Sequence, residues 1–315
     1  MLDILAITGP IYLCIAAGFI ATRMGVFSKP DLRVFGKFVL NFALPALVFN
    51  AIAQRPLRDV MHFDYLLAYG MGSFVVLGGG YLWARYVNGS VPSYRAYFAM
   101  GVSCSNSGYM GYPVAALVLG PVAAVALALN MVFENLLKLP LLLTLADSST
   151  VHERRHWLAT LRGTAMGWLR TPLLAVIPPA LFVSAMGWVL PGPLVRTITL
   201  FAQVTTGLAL FVIGGALVGL QLKGKRRLVA QIAFGKLLLH PLCVFLAFTF
   251  LAPIADPQLR TAALLFAAMP MLGVYPILAL KHGHEEVSAA ALLATTVGSF
   301  FTLNVLLWGL KHYPL

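Results

Sequence analysis

The chain has 315 residues, of which 60% are hydrophobic and only 10% charged, with a formal net charge of +12. A soluble protein carries about 25% charged residues, so a water-soluble globular fold is excluded. The basic excess does not point to nucleic acid either, because the Lys and Arg residues gather in short loops between apolar runs, the pattern of a membrane protein.

Ten apolar runs follow one another, at 3–22, 32–54, 64–86, 94–118, 120–146, 171–190, 195–219, 228–252, 260–281 and 287–310. Each approaches the roughly 20 residues needed to cross a bilayer as a helix. They predict an all-α polytopic membrane protein with ten transmembrane helices and no soluble domain. The first run has Arg23 and Lys29 after it and no basic residue before it, so it reads as a retained span rather than a cleaved leader. The second carries Asn41 and Asn50 on either side of Pro45. The fourth is interrupted at residues 105–113, Ser-Asn-Ser-Gly-Tyr-Met-Gly-Tyr-Pro, and is separated from the fifth only by Gly120-Pro121, which demands a tight turn. The fifth holds Asn130, Glu134, Asn135 and Lys138. The least apolar stretch, 147–170, contains His152 to Trp157 and Trp168 and reads as a cytoplasmic linker lying on the inner leaflet. The seventh run has Gln203 and the small-residue pair Gly215 and Gly219, suited to close helix packing. The eighth places Lys236 and His240 four residues apart, followed by Pro241; Lys236 lies one or two turns from the cytoplasmic start and is expected to snorkel. The ninth is interrupted at residues 269–276, Met-Pro-Met-Leu-Gly-Val-Tyr-Pro, and the tenth carries Ser299, Thr302 and Asn304. Cys14, Cys104 and Cys243 lie inside apolar runs without metal-ligand spacing and read as packing residues.

Alternate loops differ in basic content. One side carries Arg23, Lys29, Arg33, Arg85, Arg95, Arg154, Arg155, Arg162, Arg170, Lys223, Lys225, Arg226, Arg227 and Lys281, fourteen in all; the other carries Arg55, Arg58, Arg196, Arg260 and Lys311, which is five. The richer side is placed in the cytoplasm, with both termini outside a bacterial inner membrane. Five runs precede the linker and five follow it, so the second half enters from the opposite side. The expected organisation is a first five-helix repeat at 1–146, a linker at 147–170 and an inverted second repeat at 171–315.

The two interrupted runs occupy matching places in the two halves. Freed backbone groups in a membrane must face protein or a water-filled cavity, and a matched pair of such breaks marks the substrate site of a secondary transporter. A helix restarting at mid-membrane presents N–H groups and about half a positive charge, which suits a carboxylate. After the first break the N–H groups near Tyr112 to Ala115 are expected to serve, and after the second those near Tyr275 to Leu278. The candidate substrate residues are Ser103, Ser105, Asn106, Ser107, Tyr109, Tyr112, Pro113, Tyr275, Pro276 and Asn41. Proton-coupling candidates are Glu134, Lys138 and His240. Glu134 and Lys138 pair at i,i+4, Asn130 shares their face, and an intramembrane ionisable group is a functional candidate by default. Structural roles compete throughout: a packed proline kink, a polar cluster holding the fifth span, interhelical hydrogen bonds for Asn41 and Asn304. No catalytic residue, metal or cofactor is expected.

These residues resemble the auxin efflux carrier family. The resemblance rests on Asn41-Phe42-Ala43-Leu44-Pro45, on residues 105–113, and on Met269-Pro270 with Tyr275-Pro276, and it spans essentially the whole chain. Its short prokaryotic members are commonly assigned as malate or malonate permeases. The resemblance implies crossing broken fourth and ninth helices, a scaffold and a moving transport domain, elevator-type alternating access, and often a homodimer. Asn106 matches an asparagine that contacts the anionic substrate in plant members. Residues 270–273, Pro-Met-Leu-Gly, lack the polar residue those members have, which argues against auxin as the cargo.

The leading expectation is a secondary transporter of small organic anions, coupled to protons or uncoupled. An integral-membrane enzyme and an anion channel are the competing readings. Against an enzyme stand the missing metal and nucleophile motifs; the cluster His282-Gly283-His284-Glu285-Glu286 reads as a solvated turn.

Overall fold

The computed structural model describes residues 2–56, 58, 60–88, 91–147, 172–219, 226–280, 282–313 and 315. Of the linker at 147–170, all but Asp147, the last residue of a helix, lies outside the described residues. With turns and two short extended stretches between them, those residues are mostly helical, in twelve segments. These are α1 (Leu2–Arg23), α2 (Lys29–Ala53), α3 (Phe63–Asn88), α4 (Pro92–Ser103), α5 (Ser107–Leu119), α6 (Val122–Ala146), α7 (Pro172–Met186), α8 (Gly192–Ala216), α9 (Arg226–Leu251), α10 (Pro257–Ala268), α11 (Tyr275–Leu280) and α12 (Glu285–His312). Six of them, α2, α3, α6, α8, α9 and α12, are long and apolar enough to cross a membrane. The protein is a multi-pass membrane protein.

Local sequence sets the boundaries. Ser28 and Asp31 form a reciprocal capping box at the start of α2, with Pro30 in its first turn. Asp256 caps α10 by accepting from the Gln258 amide at 2.7 Å. Five stretches among the described residues widen into a π-turn: Val39–Ala43, Ser107–Gly111, Glu134–Lys138, Gly235–Leu239 and Ala247–Leu251. Each is followed two residues later by a proline, Pro45, Pro113, Pro140, Pro241 and Pro253. A proline lacks the N–H and its ring clashes with the carbonyl one turn back; the wider turn absorbs both.

The chain divides into two compact units that each draw on both halves of the sequence. The first comprises residues 1–63, 108–131 and 166–219, and holds α1, α2, most of α5, the start of α6, α7 and α8. Here α1 and α8 approach backbone to backbone. A Cβ on Gly18 would lie 2.0 Å from the Phe211 carbonyl oxygen, and one on Gly214 would lie 1.9 Å from that of Ile15. The closest approach thus runs through Gly214 rather than through Gly215 and Gly219. Gly214→Ala is expected to lower the melting temperature sharply, since backbone cannot yield and overpacking costs about 1–3 kcal/mol or more. Gly207→Ala on the same helix meets nothing within 4 Å and is expected to be neutral or mildly stabilising. Thermal unfolding of the two variants checks this.

The second unit comprises residues 64–107, 132–165 and 220–315, with α3, α4, the rest of α6 and α9 to α12. Its apolar core includes Tyr97, Met100, Val102, Cys104, Leu142, Ile232, Met271 and Tyr275. Gly72 lets α3 lie against the α9 backbone at Val244, 2.6 Å from where its Cβ would stand.

Candidate functional site

Within the second unit, α4 and α10 end in the same way. Each is capped by a residue in extended conformation, Cys104 (φ −85°, ψ 131°) and Met269 (φ −64°, ψ 154°). The two extended stretches then pair antiparallel through an isolated bridge between Ser105 and Met271. The Asn106 amide donates to the Pro270 carbonyl at 2.9 Å. The breaks therefore satisfy part of their freed backbone on each other, as a bilayer requires. Beyond them the chain restarts at Ser107 and at Tyr275.

Helix C-termini leave carbonyls without partners and carry partial negative charge. Both ends here hold a buried ammonium. Lys138 Nζ donates to the Ser103 carbonyl at 2.8 Å, and Lys236 Nζ donates to the Ala267 carbonyl at 2.6 Å. Both lysines are fully buried. Lys138 is also paired with Glu134 at 2.6 Å and lies 5.6 Å from the Tyr69 ring centre. Lys236 has two further acceptors, Ser105 Oγ at 3.0 Å and His240 Nδ1 at 2.9 Å. Three ammonium hydrogens thus meet three acceptors. The network assigns His240 as neutral: it presents a bare Nδ1 to Lys236 and its Nε2–H to Ser73 Oγ at 2.9 Å. Glu134 Oε1 accepts from Tyr69 Oη at 3.3 Å and from the Ser105 amide at 3.5 Å. With both lysines protonated, one carboxylate, two ammonium groups and a neutral imidazole amount to one net positive charge beside the paired breaks. Ser107 Oγ and Glu134 Oε2 are buried without a hydrogen-bond partner among the described residues.

A model of the family described as Membrane transport protein, the auxin efflux carrier family, matches residues 7–307. The chain belongs to this family. It is similar to the "Putative malonate transporter" of Rhizobium meliloti strain 1021, 26% identical over 312 residues that cover 98% of this chain and 96% of that protein. It is also similar to the "Uncharacterized transporter YfdV" of Escherichia coli K12, 25% identical over 248 residues, 75% of this chain and 76% of that one. An "Uncharacterized transporter" of Methanothermobacter thermautotrophicus strain Delta H matches over 112 residues at 26% identity, 35% of this chain and 36% of that protein. This member of the Membrane transport protein family is a membrane transporter, not an enzyme.

The structure of this family member gathers some of the sequence-predicted residues into one network and gives others local partners. Ser103, Ser105, Asn106 and Ser107 are buried at the first break, and Glu134, Lys138 and His240 join them in one network. The Ser103 hydroxyl turns back to the Ala99 carbonyl, so its contribution is its own carbonyl. Tyr275 donates to the Tyr97 carbonyl at 2.7 Å and serves the packing of α11 on α4, with Pro276 beside it in the first turn of α11. Tyr109, Tyr112, Pro113 and Asn41 belong to the first unit. Tyr109 Oη donates to the Gly36 carbonyl there, and the exposed Asn41 amide donates to the Lys37 carbonyl of its own helix. Asn304 likewise bonds back to Phe300.

Three expectations are corrected. The helix after the first break starts at Ser107, not near Tyr112, because the π-turn before Pro113 keeps the chain helical from Ser107 onward. Lys236 does not snorkel; three buried acceptors hold it. The loop after α11 is not a fully solvated turn: Tyr97 Oη lies 3.1 Å from His282 Nδ1, and Ser93 Oγ lies 3.4 Å from His284 Nε2. Burial, with His282 adjacent, holds the His284 imidazole below its ordinary range. Sequence reasoning missed Tyr69 and Ser73, four residues apart on one face of α3; a polar pair at that spacing in an apolar run was the available signal.

Proposed function

We propose that this chain is a secondary active transporter of small organic anions, mono- or dicarboxylates such as malate or malonate, working by alternating access of the elevator type. The observation that carries the reading is the net positive charge held beneath the paired breaks, with Asn106 and the unpartnered Ser107 hydroxyl beside it. A carboxylate gains from such a charge in a low dielectric, and charge-assisted hydrogen bonds select it over neutral solutes. Similarity to a protein named for malonate supports the substrate class. The division into two compact units, each drawn from both halves, supports a fixed scaffold and a mobile transport unit and suits two inverted five-helix repeats. The first unit is read as the scaffold and as the homodimer surface. Phe38, Phe42 and Phe201 stack there on α2 and α8 with Phe42 56% exposed.

The coupling reading follows from the lysines. Helix C-terminal carbonyls at broken helices are where a transporter of this kind binds sodium. In this chain each such end already holds an ammonium. Proton coupling or no coupling fits that arrangement better than sodium coupling. The side rich in Lys and Arg is read as cytoplasmic, with both termini outside.

Purified protein in liposomes tests the reading by counterflow of labelled malonate. Saturable uptake accelerated by malonate on the far side supports a carrier, and conductance without that acceleration would favour a channel. Asn106→Ala keeps the backbone bond to Pro270 and removes only the side chain. A lost hydrogen bond to a charged ligand, about 1.5–3 kcal/mol, predicts a roughly 10- to 100-fold weaker malonate affinity. Asn106→Asp, which adds a negative charge, is expected to abolish binding. Unchanged affinity in both variants removes Asn106 from the site.

A further inference from the structure

We propose that a cavity in the first unit, at the ends of α2 and α7 and the start of α8, binds the phosphate of an anionic phospholipid. The cavity measures about 890 Å3, the size of a site for a substantial ligand rather than a water. Its polar side is formed by Gln54, Arg55, Arg58 and Ser184, and no acidic residue lines it among the described residues. Ser184 Oγ donates to the Arg55 carbonyl at 2.6 Å, which ties the loop after α2 to the end of α7. These are two loops that the alternation of spans puts on one side. Val195, in the first turn of the 25-residue α8, completes the lining. That N-terminus has no side-chain cap, so its dipole adds positive potential to that of the two guanidinium groups. Paired arginines suit a phosphate bidentately.

The rest of the lining decides between a lipid and a free oxyanion. Met186, Trp188 and Val189 line the cavity at 55%, 56% and 97% exposure. Gly187, at φ +62°, turns the chain so that this tip stands clear of α7. Phe182 packs edge-on against Trp188 with ring centres 5.4 Å apart and steadies it. Cations and exposed apolar side chains in one lining fit an amphiphile, with the phosphate on Arg55 and Arg58 and an acyl chain along Trp188 and Val189. A free dicarboxylate has no use for those apolar side chains. Trp at a membrane boundary marks the headgroup level. The choice of residue also bears on this: Arg55 and Arg58 are two of only five basic residues that the alternation assigns to this side, and both line one cavity.

Native mass spectrometry of the full-length protein in detergent, titrated with phosphatidylglycerol or phosphatidylcholine, tests this. The wild type is expected to retain one phosphatidylglycerol per chain with a preference of about tenfold or more over phosphatidylcholine, and Arg55→Gln/Arg58→Gln to reduce that preference to about twofold or less. Val189→Asp, on a fully exposed tip where folding is not at stake, is expected to weaken retention as well. Wild-type preference in both variants overturns the proposal. Displacement of the lipid by millimolar inorganic phosphate or malonate also overturns it, in favour of a free-oxyanion site.

Discussion

Lys236→Met is expected to abolish carboxylate uptake while leaving the protein folded. The substitution keeps the volume and removes the ammonium. Ala267 and His240 lose their donor, at about 1–3 kcal/mol for each buried acceptor. Against that, the fold no longer buries a charge in excess of its one carboxylate, and such desolvation costs several kcal/mol per ion. The two changes have opposite sign and similar size, so the melting temperature is expected to move by only a few degrees. The function has no such compensation: the charge beneath the breaks falls from one to zero. A binding titration with malonate, run beside thermal unfolding, separates the two effects. Wild-type affinity in a well-folded Lys236→Met protein would sink the idea that this charge recruits the anion.

Glu134→Gln should behave in the opposite way. It leaves Lys138 and Lys236 buried with no counter-charge, and breaking a buried pair from one side costs about 3–5 kcal/mol. Severe destabilisation is the expected result, and it would say nothing about coupling on its own. Glu134→Gln/Lys138→Met removes both charges and is expected to recover most of the lost stability. Uptake driven by a pH gradient is then measured on the double variant. If Glu134 carries the coupled proton, uptake persists down a malonate gradient but no longer responds to pH. A full pH response in the double variant rules Glu134 out as the carrier.

Much of the helical layout was legible because it depends on local composition. The apolar runs, the tight turn at Gly120-Pro121 and the two interruptions are one-dimensional signals, and all are present as helices, turn and breaks. The pairs Glu134–Lys138 and Lys236–His240 were legible for the same reason, since four-residue spacing puts side chains on one helix face. What sequence could not show is that the two pairs converge on Ser105. That depends on α4, α6 and α9 packing together in the second unit, with separations of up to 131 residues. The interruption at 105–113 was legible, but its restart was expected near Tyr112, whereas the widened turn before Pro113 absorbs the proline and the chain is helical again from Ser107. The side-chain amides of Asn41 and Asn304 each donate to the carbonyl one turn back, a local bond that a polar residue in an apolar run does not announce.

The widened turns ahead of the prolines have a consequence for how these helices keep time. A π-turn amounts to one extra residue inserted without a loop, and one residue is worth about 100° of rotation in an α-helix. Everything in α6 beyond Lys138 is therefore out of phase with the residues before Glu134. Leu142 and Ala146 reach the core only because of that offset. A plain heptad or 3.6-residue reading carried through the whole span assigns the wrong face to one end of it. The prolines thus act as phase markers, and a helix of this kind is better read as two short amphipathic helices sharing an axis than as one long one.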